Sequence, residues 1–241
     1  MLPLMSCDIL AFGVHPDDIE IGIGGLISSE VMKGARVVMV DLTLGEMSSN
    51  GTPEVRRAES LQAALVMGVQ ERINLEMRDR GITIDSDHIR KITTIIRSYK
   101  PARVFYPYKL DRHPDHGLGA SLIHEALWSS GLIKYECGGL KPHRPECAYM
   151  YFINDVAEVT VTYDISDAFE KKMNALRCHA TQFERRGSEN ATYLNEGFLE
   201  VIRARDRYYG FLAGTVYAEC LKSINLPRIQ GFSVDKSSVI L

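Results

Sequence analysis

The 241 residues carry 28 basic and 31 acidic side chains, with 45% hydrophobic and 24% charged residues. That is the balance of an ordinary globular chain long enough for a sizeable core, expected as a single domain spanning residues 1–241, and it lacks the cationic surplus that a nucleic-acid partner would demand. The five cysteines, odd in number and never spaced CxxC, speak against a disulfide framework or a thiolate zinc knuckle; with no signal-peptide pattern in Met1 to Cys7 and no apolar run of membrane-spanning length, a cytoplasmic protein is expected.

Strand and helix signals alternate along the chain. Ile9 to Phe12 is a short apolar run of buried-strand type, ending in Gly13-Val14-His15-Pro16-Asp17-Asp18. Pro16 cannot donate to a sheet ladder and biases His15 towards an extended conformation, so His15 is expected at the carboxyl end of the strand. Ile19 to Lys33 predicts a helix, Arg36 to Leu42 a second buried strand, and Thr43 to Gly51 a polar loop. Thr52-Pro53 predicts the next helix, with Thr52 as N-cap and with Ala58, Leu61, Ala64 and Leu65 along its buried face until Gly68. Arg56 and Arg57 fall in its first turn, where cations oppose the helix dipole. An anionic ligand would account for them, and so would solvent-exposed pairing with Glu54 or Glu59.

Glu71 to Leu75 predicts a strand, Asp85 to Tyr99 a helix, and Pro101 to Tyr106 a strand that runs into Asp111-Arg112-His113-Pro114-Asp115-His116. A helix resumes at Gly117. This second junction repeats the plan of the first. Further on, Glu146 to Phe152 and Glu158 to Tyr163 predict strands, Ser166 caps a helix through Phe169, Met173 and Leu176, and Glu196 to Gly214 predicts a last helix before a loose tail. The alternation predicts an α/β fold, a Rossmann-like, mostly parallel sheet with helices on both faces. In such sheets ligands gather at the strand carboxyl ends, where both His/Asp clusters fall.

His15, Asp18 and His116 form a His₂Asp set, three protein ligands that leave a catalytic zinc an open position. Asp17, beside a ligand, is placed to act as general base; His113 is a second acid or oxyanion donor, and Asp115 could accept from its ring and favour the imidazolium. Arg56 or Arg112 could hold an anionic or polyhydroxyl part of a substrate. His88, His124, His143 and His179 stand singly, outside both His/Asp clusters, and are assigned to surface or satisfied core. Gly22, Gly24 and Gly25, with Asp41 ending the second strand, keep open a nucleotide-binding Rossmann module, although they do not follow GxGxxG order.

HPDD after the first strand, Gly45-Glu46, an arginine in PEVRRAE and HPDH after a later strand together resemble the LmbE/PIG-L family of zinc-dependent N-deacetylases, which act on N-acetylglucosamine derivatives. The segments DLTLGEMSSNGT (41–52), RDRGI (78–82), DRHPDHG (111–117) and PHRPE (142–146) are most similar to bacillithiol-pathway members, which deacetylate N-acetyl-glucosaminyl-malate. The resemblance implies one Zn²⁺ per chain, or another divalent ion such as Fe²⁺, on His15, Asp18 and His116. It implies Asp17 as base, His113 paired with Asp115 as electrophile, Arg56, Arg112 and Glu46 at an amino-sugar substrate, and a homo-oligomer, a trimer or hexamer. Two positions depart from the pattern: Leu44 stands where that loop usually carries arginine, and Asp111 where some mycothiol-pathway relatives carry tyrosine.

Overall fold

A computed structural model describes residues 6–185, 187 and 190–226. The elements run β1 (Ile9–Gly13), α1 (Asp18–Met32), β2 (Val37–Thr43), α2 (Pro53–Met67), β3 (Glu71–Met77), α3 (Ser86–Tyr99), β4 (Arg103–Pro107), α4 (Pro114–Ser130), β5 (Cys147–Tyr151), β6 (Val161–Asp164), α5 (Phe169–Cys178), α6 (Ala180–Phe183), α7 (Phe198–Ala213) and β7 (Ala218–Ser223). One seven-stranded sheet joins them in the order β3-β2-β1-β4-β5-β7-β6.

The first five strands of that order are parallel, and β7 runs antiparallel between β5 and β6. Because side chains alternate along a strand, β1 feeds two cores. Ile9 and Ala11 pack with α1, α2 and α5 on one face; Leu10 and Phe12 pack with α3 and α4 on the other. β1 has β2 on one side and β4 on the other, so the winding of the sheet reverses at the β1/β4 boundary. The loops that leave β1 and β4 therefore open side by side, the switch point at which such sheets bind ligands. Two motifs almost a hundred residues apart become neighbours for this reason.

Several elements differ from expectation in instructive ways. Thr52 does cap α2, accepting from Val55 N, and Gly68 closes it in the left-handed conformation. Its buried face, however, is Arg56, Ser60, Ala63, Ala64 and Met67, while Leu61 is 49% and Leu65 70% exposed. The leucines share the helical period but point away, because small side chains let the helix sit closely on its neighbours. Ser166 does not cap α5; its hydroxyl bonds Asp164, and the helix begins at Phe169 without a side-chain cap. Within the expected loose tail lies β7, whose Glu219 and Lys222 disguise a strand. Glu219 is buried, accepting from Gly25 N at 2.9 Å, Leu26 N at 2.7 Å and Lys172 Nζ at 2.7 Å. Residues 227–241 of that tail lie outside the described residues.

The nucleotide-binding alternative is not supported by the glycines. α1 kinks at Ile23 (φ −142°, ψ 22°). A Cβ on Gly22 would stand 2.1 Å from the Tyr151 ring, and one on Gly25 would stand 2.8 Å from Ile165. These glycines admit side chains, leaving no room for phosphate. Asp41 is buried against the Arg72 guanidinium at 2.7 Å. No helix among the described residues is long and apolar enough to cross a membrane.

Tyr151 also donates from its hydroxyl to Phe12 O at 2.8 Å, so the ring that fills the Gly22 notch braces the strand leading to His15. Gly22→Ala should cost about 1–3 kcal/mol by overpacking, read from the urea unfolding midpoint. An unchanged midpoint would mean that the notch is loose.

Candidate active site

The turn after β1 is drawn together by one carboxylate. Asp18 Oδ2 accepts from Val14 N and His15 N, both at 2.9 Å. It also faces His15 Nδ1 at 3.6 Å, while Oδ1 faces His116 Nε2 at 3.3 Å. Asp18 is thus shared by both loops, offering a different oxygen to each imidazole. The other nitrogen of each ring meets a further carboxylate: His15 Nε2 lies 3.3 Å from Asp79, and His116 Nδ1 lies 3.0 Å from Asp111.

All three expected ligands are buried, His15 at 8%, Asp18 at 2% and His116 at 3% exposure. Burial disfavours a charged imidazole, yet Asp18 and Asp79 raise His15 to about 9, and Asp18 and Asp111 raise His116 to about 10. The two histidines in turn hold Asp18 well below the usual carboxylate range despite its burial. The negative charge of Asp18, Asp79, Asp111 and Asp115 around two imidazoles is the donor chemistry of a divalent-cation site. Among the described residues two sets bring one donor atom each within 4.8 Å of one another, His15 with His113 and His116, and His15 with Asp79 and Asp115; Asp18 belongs to neither, so the expected set of His15, Asp18 and His116 is not one of them.

Asp17 occupies the N-cap position of α1 at φ +124°, a conformation that a non-glycine residue adopts only when its surroundings impose it. Arg56 imposes it. Its Nη2 donates to Asp17 Oδ2 at 3.1 Å and to Pro16 O at 2.8 Å, and its Nη1 donates to Gly45 O at 3.0 Å. Burial raises the Asp17 carboxyl to about 6, although Arg56 pulls the other way. Arg56 therefore lines the cavity as the partner of Asp17, and is not solvated beside Glu54 or Glu59; Arg57, which is exposed, faces Glu76 at 3.5 Å.

His113 is the N-cap of α4. Its ring lies 4.8 Å from both the His15 and His116 rings. The expected pairing with the Asp115 carboxylate does not form. Instead His113 Nδ1 accepts from the Asp115 backbone N–H at 3.2 Å, and the carboxylate takes Arg80 N at 2.9 Å and Arg80 Nη1 at 2.5 Å. A residue two positions into the helix turns its side chain away from the cap, and Arg80 claims it. Burial, then His15 and His116, lower the His113 pKa, so the ring is favoured neutral rather than as an imidazolium.

These groups line a cavity of about 590 Å³. Arg112 stands at its edge, exposed, with its guanidinium 3.7 Å from the Tyr193 ring centroid. Glu46 does not line the cavity; it accepts from Asp79 N at 2.7 Å and so orders the turn after β3. Asp79, Arg80, Asp111 and Asn154 escaped the sequence reading as site residues. Asp79 follows β3 at the same sheet edge as the two HPD turns, and that placement is the signal that could have found it. The Asp111 side chain is buried as an acceptor for His113 N, Asn154 N and Asn154 Nδ2.

The PIG-L family model, described as GlcNAc-PI de-N-acetylase, matches residues 10–127, which span both clusters. The diacetylchitobiose deacetylase of Thermococcus kodakarensis is 30% identical, covering 90% of this chain and 82% of that protein. A probable N-acetyl-α-D-glucosaminyl L-malate deacetylase 2 of Bacillus subtilis is 29% identical, covering 75% of this chain and 85% of that protein. Among solved structures, the conserved protein TT1542 of Thermus thermophilus superposes with a TM-score of 0.85 at 30% identity, covering 94% of this chain and 99% of the other. This chain belongs to the PIG-L family and is, like its LmbE-type relatives, a deacetylase that hydrolyses amide bonds.

Proposed function

We propose that the chain is a metal-dependent N-deacetylase of an N-acetylglucosamine conjugate with an anionic aglycone, N-acetyl-glucosaminyl-malate or a close analogue as in bacillithiol biosynthesis, releasing acetate and the free amino sugar. The observation that carries this is the convergence of His15, Asp18 and His116 from two strand ends, with Asp17 strained and buried beside them. His15, Asp18 and His116 would hold the cation, zinc by preference. When bound, it would polarise the acetamide carbonyl and make a water easier to deprotonate.

The protein's own groups supply the rest. Asp17, raised to about 6, is ionised at neutral pH and basic enough to take a proton from water. Arg56 fixes where that carboxylate points. With His113 Nδ1 already accepting the Asp115 N–H, the ring proton belongs on Nε2, where a neutral imidazole can donate to the developing oxyanion. Arg112 has no carboxylate partner among the described residues and packs over the Tyr193 ring, which pre-organises it for an anionic group. The Thermococcus kodakarensis relative favours a second reading, a neutral N-acetylglucosamine disaccharide as substrate.

Purified protein should carry about one zinc or similar ion per chain, and Ala at His15, Asp18 or His116 should strip it; retention in all three variants, measured by elemental analysis, would contradict the ligand set. Asp17→Asn should keep the metal and lose about 10²–10⁴-fold in kcat. In wild-type protein kcat/KM should fall as the pH drops through about 6 and Asp17 takes up a proton. Arg56→Met removes the cation that lowers this pKa, so its acidic limb should move to higher pH; a limb that stays put while only KM rises would make Arg56 a substrate contact instead. Arg112→Ala should raise KM for N-acetyl-glucosaminyl-malate roughly tenfold or more and leave diacetylchitobiose nearly untouched. Equal losses on both substrates would remove the anionic aglycone from the proposal.

A further inference from the structure

The loop after β4 holds one buried carboxylate that the chemistry above does not use. Asp111 is 3% exposed at its side chain and stands 3.0 Å from His116 Nδ1. Three donors hold it in place: His113 N at 2.8 Å, Asn154 Nδ2 at 2.8 Å and Asn154 N at 3.1 Å. On the opposite edge of the same ring, His116 Nε2 faces Asp18 at 3.3 Å. The imidazole is therefore gripped between an outer carboxylate, itself tied to the segment after β5, and the inner carboxylate shared with His15.

We propose that Asp111 is a positioning residue for cation binding, with Asn154 as its anchor. Asp111 Oδ1 meets His116 Nδ1 as a 3.0 Å ion-pair contact that is not aligned as a hydrogen bond; because a carboxylate accepts and cannot donate, a small turn of the ring onto Asp111 places the His116 proton on Nδ1 and leaves the Nε2 lone pair directed at the space shared with Asp18. Asp111 also fixes the plane of the ring and makes Nε2 the stronger donor. Outer carboxylates of this kind typically change metal affinity by about 10–100-fold. Asn154 matters because a carboxylate free to rotate could turn away from the imidazole. The inference rests on the metal-dependent reading above.

The test is the Zn²⁺ dissociation constant of the purified protein, measured by competition with a chromophoric chelator, beside the urea midpoint of each metal-free variant. Asp111→Asn should weaken zinc binding by about 10–100-fold, and Asn154→Ala should weaken it by a smaller factor in the same direction. A merely structural role would lower the midpoint and leave the dissociation constant of the folded protein unchanged, and that result in Asp111→Asn overturns the inference. Should Asp111→Asn fail to fold, an unchanged constant in Asn154→Ala overturns it equally. A wild-type protein that takes up no zinc would remove the metal reading itself, and this inference with it.

Discussion

The site depends on one carboxylate that serves two loops. Asp18 closes the turn after β1 by accepting Val14 N and His15 N, and it faces His15 with one oxygen and His116 with the other. A carboxylate can do this only if the two loops open side by side, which the adjacency of β1 and β4 at the switch point provides. Next to Asp18 in that turn, Asp17 stands in its positive-φ conformation, and Arg56 holds it there through side-chain and backbone contacts. The placements of His15, Asp17 and Asp18 are thus set by the same turn.

Beneath that turn the protein buries more charge than its stability asks for. Arg72 joins Glu20 and Asp41, and His179 reaches Glu20 at 2.9 Å. Lys172 joins Asp206 and Glu219 at 2.6 and 2.7 Å. Buried ion pairs contribute little net stability once desolvation is counted. These land where position matters: Glu219 takes the N–H groups of Gly25 and Leu26 freed by the α1 kink, and Arg205 donates to Ile21 O at 2.6 Å. Ile21 lines the cavity, so the network holds the first turns of α1 in place against the site.

Much of this was legible in the sequence. Apolar runs marked β1, β2 and β4, Thr52-Pro53 and Gly68 marked the ends of α2, and the paired HPD turns marked the two strand ends that meet. What was hidden was hidden for physical reasons. Period alone gives α2 a stripe but cannot say whether Leu61 and Leu65 or Ala63 and Met67 face inward. β7 was masked by Glu219, a charge whose partners Lys172, Gly25 and Leu26 are far away in sequence. Arg56 reads as a cation waiting for a ligand until Asp17 and two carbonyls are found around it. Asp115 reads as the partner of His113 until Arg80, from another strand-end turn, claims it. In each case the deciding partner is distant in the chain and lacks a local signature.

The most direct measurement is a zinc titration of metal-stripped protein, following primary amine released from N-acetyl-glucosaminyl-malate and from diacetylchitobiose. Deacetylation should be absent without metal, rise with added zinc and level off at about one ion per chain, with the malate conjugate turned over faster. Full activity in protein shown to be metal-free would contradict the reading of His15, Asp18 and His116 as the centre of the site.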